Sequence, residues 1–101
     1  MEYKYQVRVT DQFADWLGSL RDVQARIRIQ ARIDRLELGN LGDWKAIGSS
    51  VSEMRIHYGP GYRVYFMRRE QTIFLLLAGG DKRTQKRDIE QAIALADIER
   101  S

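Results

Sequence analysis

The run Thr72-Ile73-Phe74-Leu75-Leu76-Leu77-Ala78 is apolar at both phases of a two-residue period. A strand of that kind is buried on both faces and sits inside a sheet. Its seven residues fall far short of a membrane-spanning helix, which needs about 20 apolar residues. Gly79-Gly80 ends it. A chain of 101 residues offers one hydrophobic core, so residues 1–101 are read as one domain built around this strand.

The other elements follow from period and punctuation. Tyr3, Tyr5, Val7 and Val9 alternate with polar residues, the pattern of a half-buried strand. Thr10 or Asp11 offers an N-cap for a short helix whose Phe13, Trp16, Leu17 and Leu20 share a face. Residues 22–38 alternate like a strand, but their length without a turn signal, the Asp22 cap and the terminating Gly39 make them a helix. That helix carries two apolar stripes, Ala25-Ile29-Ile33-Leu36 and Val23-Ile27-Ala31-Leu38. One stripe needs the sheet; the other needs the first helix or a partner protein. A glycine-spaced loop, Gly39 to Gly48, leads into a hairpin of Val51–Tyr58 and Tyr62–Arg68 around Gly59-Pro60-Gly61. Asp81–Arg100 is helical, and no repeat or linker interrupts the chain. The order β-α-α-β-β-β-α predicts an α+β domain, an antiparallel sheet with helices packed on one face.

Composition then removes whole classes of chemistry. Without cysteine there is no thiol nucleophile, disulfide or thiolate metal site. A single histidine leaves carboxylates to supply nearly every ligand of a zinc site, and no metal or other cofactor is expected. The opening Met1-Glu2-Tyr3-Lys4-Tyr5-Gln6 lacks the apolar core of a signal peptide, so a cytoplasmic protein without a membrane segment is expected. A net charge of +3 and a pI near 9.4 are compatible with a nucleic-acid partner without establishing one.

The chemistry-bearing residues cluster late in the chain. Strand period puts Glu53, Arg55 and His57 on one face, and Arg63, Tyr65 and Met67 on one face of the next strand. Arginines side by side on paired strands repel unless an anion lies between them. That anion is either a ligand or a protein carboxylate such as Glu53. Beyond the central strand, Gly79-Gly80-Asp81-Lys82-Arg83-Thr84-Gln85-Lys86-Arg87 sets four cations after a glycine pair, where backbone can approach a phosphate; the alternative is a solvated helical turn. Arg28, Arg32 and Arg35 form a further stripe on the second helix. His57 is the one imidazole that can exchange a proton near neutral pH. Trp16 and Trp44 read as packing residues.

Gly42-Asp43-Trp44-Lys45, the run Arg55-Ile56-His57-Tyr58-Gly59-Pro60-Gly61-Tyr62-Arg63-Val64-Tyr65 and the segment from Leu75 to Gln85 resemble the RelE/ParE toxin superfamily, and more closely its HigB-like addiction module killer branch. The resemblance spans almost the whole chain. It implies a RelE-like fold and a toxin of a type II toxin–antitoxin system, one that enters the ribosome and cuts translated mRNA without metal. A co-expressed antitoxin, a HigA-like helix-turn-helix protein, restrains it. The ribose 2′-hydroxyl would attack the adjacent phosphate. Arg63 then matches the phosphate-binding arginine of the family's strand, Arg55 the cation of the preceding strand, and Lys82 or Arg83 the cation after the last strand. A lysine held near Arg55 and Arg63 has its ammonium form disfavoured, which would suit Lys82 to act as base or acid; Asp81 and His57 are the competing candidates for the proton transfer. Lys45, His57, Tyr65, Arg83 and Lys86 complete the expected RNA contacts. RelE itself uses a tyrosine near its C-terminus, and here none follows Tyr65. The same fold in ParE-like proteins implies a non-catalytic inhibitor of DNA gyrase, and a protein-interaction module is the third reading.

Overall fold

The computed structural model describes residues 4–101; Met1 to Tyr3, including the Tyr3 assigned to the first strand, lie outside the described residues. The chain runs β1 (Gln6–Val9), α1 (Asp11–Ser19), α2 (Val23–Glu37), β2 (Trp44–Gly48), β3 (Val51–Ile56), β4 (Tyr62–Arg69), β5 (Ile73–Asp81), a 3-10 turn at Lys82–Thr84, and α3 (Gln85–Arg100). Thr10 caps α1 by accepting from the Phe13 N–H. Asp22 caps α2 by accepting from Gln24 and Ala25, and Gly39 ends it with φ at +87°. The helical reading of residues 22–38 thus holds against their strand-like alternation.

The strands form one sheet in the order β1-β5-β4-β3-β2. β5 is central, as its apolar run requires. The α+β class holds, with three differences of detail. Residues 44–48, expected as loop, add β2, which pairs with β3 through a two-residue turn at Ser49-Ser50. The sheet is mixed, because β1 lies parallel to β5 while the other pairs are antiparallel. β1 and β5 are joined by no hairpin, so no tight turn forces them to run in opposite directions.

The third difference concerns the layers. Phe74 and Leu76 of β5 join Val64, Phe66, Phe13, Ile29 and Leu36 in a core beneath α1 and α2. Leu75 and Leu77 join Tyr65, Met67, Ala92 and Ala96 in a second core beneath α3. Helices therefore cover both faces, not one. A strand apolar at both phases has two faces to bury, and one helical layer cannot bury both. A bulge in β5 opposite Tyr65/Phe66 leaves Leu77 without a register partner. Past it, Gly79 faces Trp16 of α1 and Gly80 faces Asp88 of α3.

Candidate active site

Register across the sheet builds the site in two rows on the α3 face. One row runs Lys45 on β2, Glu53 on β3, Tyr65 on β4 and Ala78 on β5. The next, two residues along, sets Arg55 of β3 directly opposite Arg63 of β4, with Gly80 of β5 beyond. The arginine pair anticipated from strand period is thus real, and an anion does lie between the two. It is Glu53, fully buried, with Oε2 3.8 Å from Arg55 Nε and Oε1 3.6 Å from Arg63 Nε. At those separations neither contact is a hydrogen bond. Gln85, in the first turn of α3, donates to Glu53 Oε1 at 2.7 Å.

Tyr65 is not where a base could stack. It is fully buried beneath α3, and its hydroxyl has no hydrogen-bond partner. Burial pushes its pKa up, and the neighbouring Glu53 charge adds to the rise. The phenol is therefore neutral and belongs to the support of the site. The face that strand period left open carries a second core at this row, because α3 covers it.

At the rim, His57 Nε2–H donates to Asp43 Oδ2 at 2.5 Å. An ionised carboxylate only accepts, so the proton of a neutral His57 sits on Nε2, leaving Nδ1 able to take another. The His57 hydrogen bond is the main reason the Asp43 carboxyl lies below the usual carboxylate range. The other Asp43 oxygen is 3.7 Å from Arg55 Nε. Arg32 holds this loop in place by donating to the carbonyls of Leu41, Asp43 and Arg55. Its role is structural, while Arg28 lies over the Tyr58 ring at 4.6 Å. Of the expected α2 stripe, Arg35 stays exposed beside a small hollow with His57.

The glycine pair does not end the central strand as expected: β5 runs through it to Asp81, pairing Gly79 with Val64 and Gly80 with Arg63, and the pair has a packing origin. A Cβ on Gly79 would overlap the Trp16 ring, and one on Gly80 would overlap the Asp88 carboxylate. Asp81 is spent as the cap of the 3-10 turn: it accepts from the Arg83 N–H at 2.8 Å and from Arg83 Nη2 at 3.0 Å. Arg83 holds its carboxyl below the usual range. Asp81 therefore has no proton to give at neutral pH, and Arg83 is engaged by it. Lys45, Lys82 and Lys86 are exposed, and no ion pair among the described residues ties them to the Glu53 cluster. Trp16 packs against Phe13 and Tyr62, whereas Trp44, expected in packing, is 45% exposed on an edge strand. Asp43, Gln85 and Asp88 were not anticipated as functional. Asp88 is buried and accepts from the Thr84 hydroxyl at 2.5 Å, a four-residue spacing that is the one signal visible beforehand.

A mixed five-stranded sheet with this order of elements and helices on both faces is a RelE-like fold. It superposes on the E. coli toxin RelE, in a double mutant in the free state, with a TM-score of 0.70 and 14% identity, over 93% of this chain and 97% of that one. The chain belongs to the phage-derived protein Gp49-like (DUF891) family, which it matches over residues 15–100. An uncharacterised protein of Haemophilus influenzae is 45% identical over 91 residues, which cover 90% of this chain and 92% of the relative.

Proposed function

We propose that this chain is the toxin of a type II toxin–antitoxin pair of the HigB-like branch and cleaves translated mRNA at the ribosome. The observation that carries the reading is the Arg55–Arg63 pair, facing each other across β3 and β4 with one buried carboxylate between them and the Asp43–His57 pair at the rim. A transesterifying ribonuclease needs cations for the phosphorane and a group to take the 2′-hydroxyl proton. Arg63 and Arg55 supply the first. His57, oriented by Asp43, supplies the second through Nδ1 and displaces Asp81 from that role. The freed 2′-oxygen attacks phosphorus, the bond to the 5′-oxygen breaks, and that oxygen takes a proton from water while His57 returns the 2′-hydroxyl proton to solvent. The products are a cyclic phosphate and a 5′-hydroxyl. Lys45, Lys82 and Lys86 add surface charge along which the RNA backbone can lie.

The antitoxin has a place to bind. Val9, Val23 and Ile27 are exposed around an apolar groove of about 710 Å³ between β1, α1 and α2, and patches of this kind mark protein interfaces. This groove takes Val23 and Ile27 of the second α2 stripe, whereas Ala31 lines the small hollow beside His57.

Expression of the chain in a bacterial host tests the reading. Translation should stop, with reporter mRNA cut within its translated frame, and Arg63→Ala should lower cleavage by about a hundredfold or more while the domain stays folded. Intact mRNA in arrested cells, with early DNA damage and supercoiling defects, would transfer the protein to the gyrase-directed reading. Cells that keep growing would leave only a binding module.

A further inference from the structure

Among the described residues, the buried side-chain polar atoms without a hydrogen-bond partner are Glu53 Oε2, Arg55 Nε, Arg63 Nε and the Tyr65 hydroxyl. All four lie in one cluster. Buried polar groups are paired almost everywhere in folded proteins, so a concentration of exceptions calls for an explanation. Elsewhere the fold satisfies its charged groups closely, as with Arg32 on three carbonyls and Asp81 on Arg83. Here it leaves two guanidiniums loosely held.

We propose that Glu53 is a positioning residue that holds Arg55 and Arg63 from below, so that their outer N–H groups converge on a single RNA phosphodiester. The buried Nε ends of both arginines face the carboxylate. What exposure these side chains keep, 32% for Arg55 and 12% for Arg63, therefore lies with other atoms. One buried carboxylate shared by two guanidiniums neutralises neither, and the pair keeps an unmet demand for an anion. Asp43 does not meet it, being at the exposed rim and shared with His57. Without Glu53 the two arginines, direct register partners, would repel and splay apart.

Two neighbours keep the carboxylate in place. Gln85 fixes Oε1 from α3, and Tyr65, its register partner on β4, closes the interior side as a neutral phenol. The docking of α3 therefore sets the geometry of a site made of β3 and β4 residues. Orientation of this kind shows in turnover more than in affinity, because a small displacement of a group acting on the transition state costs up to about a hundredfold in rate.

For its substrate this inference rests on the ribonuclease reading, so the test has one arm without catalysis. Arg55 and Arg63 Nε–H signals in the folded protein, assigned with R55K and R63K, are followed by NMR while a 2′-O-methyl RNA trinucleotide is added. In the unsubstituted protein both signals should exchange slowly with water and shift together. In Glu53→Gln, which keeps shape and an acceptor for Gln85, both should lose that protection and shift independently. The cleavage arm should show kcat down about 10- to 100-fold with KM changed less than about threefold. Gln85→Ala keeps the charge but frees the carboxylate, and should give a smaller fall in kcat in the same direction; it carries the test if the Glu53 variant does not fold. Unchanged Nε–H protection in Glu53→Gln, or kcat and melting temperature falling together in both variants, would overturn the proposal. If the unsubstituted protein cuts no RNA, the ribonuclease reading fails by itself, and the Nε–H arm still decides on Glu53.

Discussion

At the scale of single residues, the glycine pair near the end of β5 shows how one sequence signal supports two physical explanations. Close approach of backbone to a phosphate and close approach of a neighbouring side chain both demand a missing Cβ. The structure supplies the neighbour: the Trp16 ring occupies the Gly79 side and the Asp88 carboxylate the Gly80 side. Gly79→Ala should therefore cost about 2 kcal/mol of stability, the range for overpacking a filled core. Urea melts would show it, with much of the loss recovered when Trp16→Leu is added to make room. Additive losses in the double variant, or a Gly79→Ala protein as stable as its parent, would return the glycine to a phosphate-binding role. The arginines were legible because strand period and register are strict. Asp43 was not, since its partnership with His57 depends on a loop held by Arg32, and nothing local foretells that clamp.

At the scale of elements, the long helices and the central strand were legible because period, caps and terminators agree. Residues 44–48 were hidden among glycines whose spacing looks like a loop, and their strand exists only because β3 offers an edge to pair with. The junction of β5 with α3 is the element on which the site most depends, since it places Gln85 over Glu53. Asp81 fastens that junction, and replacing it with alanine should cost about 1 kcal/mol at neutral pH, the usual value of a cap. The pH dependence follows from linkage. Arg83 holds the folded-state pKa of Asp81 below its ordinary value, so the stabilisation is complete above the unfolded pKa of about 3.9. It is lost as pH falls through the depressed folded value. The stability gap between the parent and Asp81→Ala should thus be full at pH 7 and close progressively below about pH 4. A gap that widens in acid, or none at pH 7, would mean that the carboxylate does not cap the turn.

At the scale of the whole molecule, the two-sided burial of β5 separates the tasks of the protein. The α3 side carries the arginine cluster over its own core, and the α1–α2 side carries a different core and the open groove. The apolar run Thr72–Ala78 already implied cover on both faces. Assigning all helices to one face failed because no local pattern says on which side a helix three elements away will dock. On the toxin–antitoxin reading, this layering separates restraint from chemistry: a partner in the groove lies across the sheet from Arg55 and Arg63. Ile27 is 56% exposed there, so Ile27→Asp should leave stability within about 0.5 kcal/mol of the parent. On the toxin–antitoxin reading, it should weaken capture of a cognate helix-turn-helix antitoxin by about a hundredfold, the loss of one buried isoleucine side chain, roughly 3 kcal/mol. Calorimetric titration of parent and variant with that antitoxin measures the difference, and growth assays read its consequence. Cells carrying the variant should stay arrested when the antitoxin is co-expressed, while cells carrying the parent recover. Equal affinities, with equal rescue of growth, would place the antitoxin somewhere other than the α1–α2 groove and leave Val23 and Ile27 without a partner.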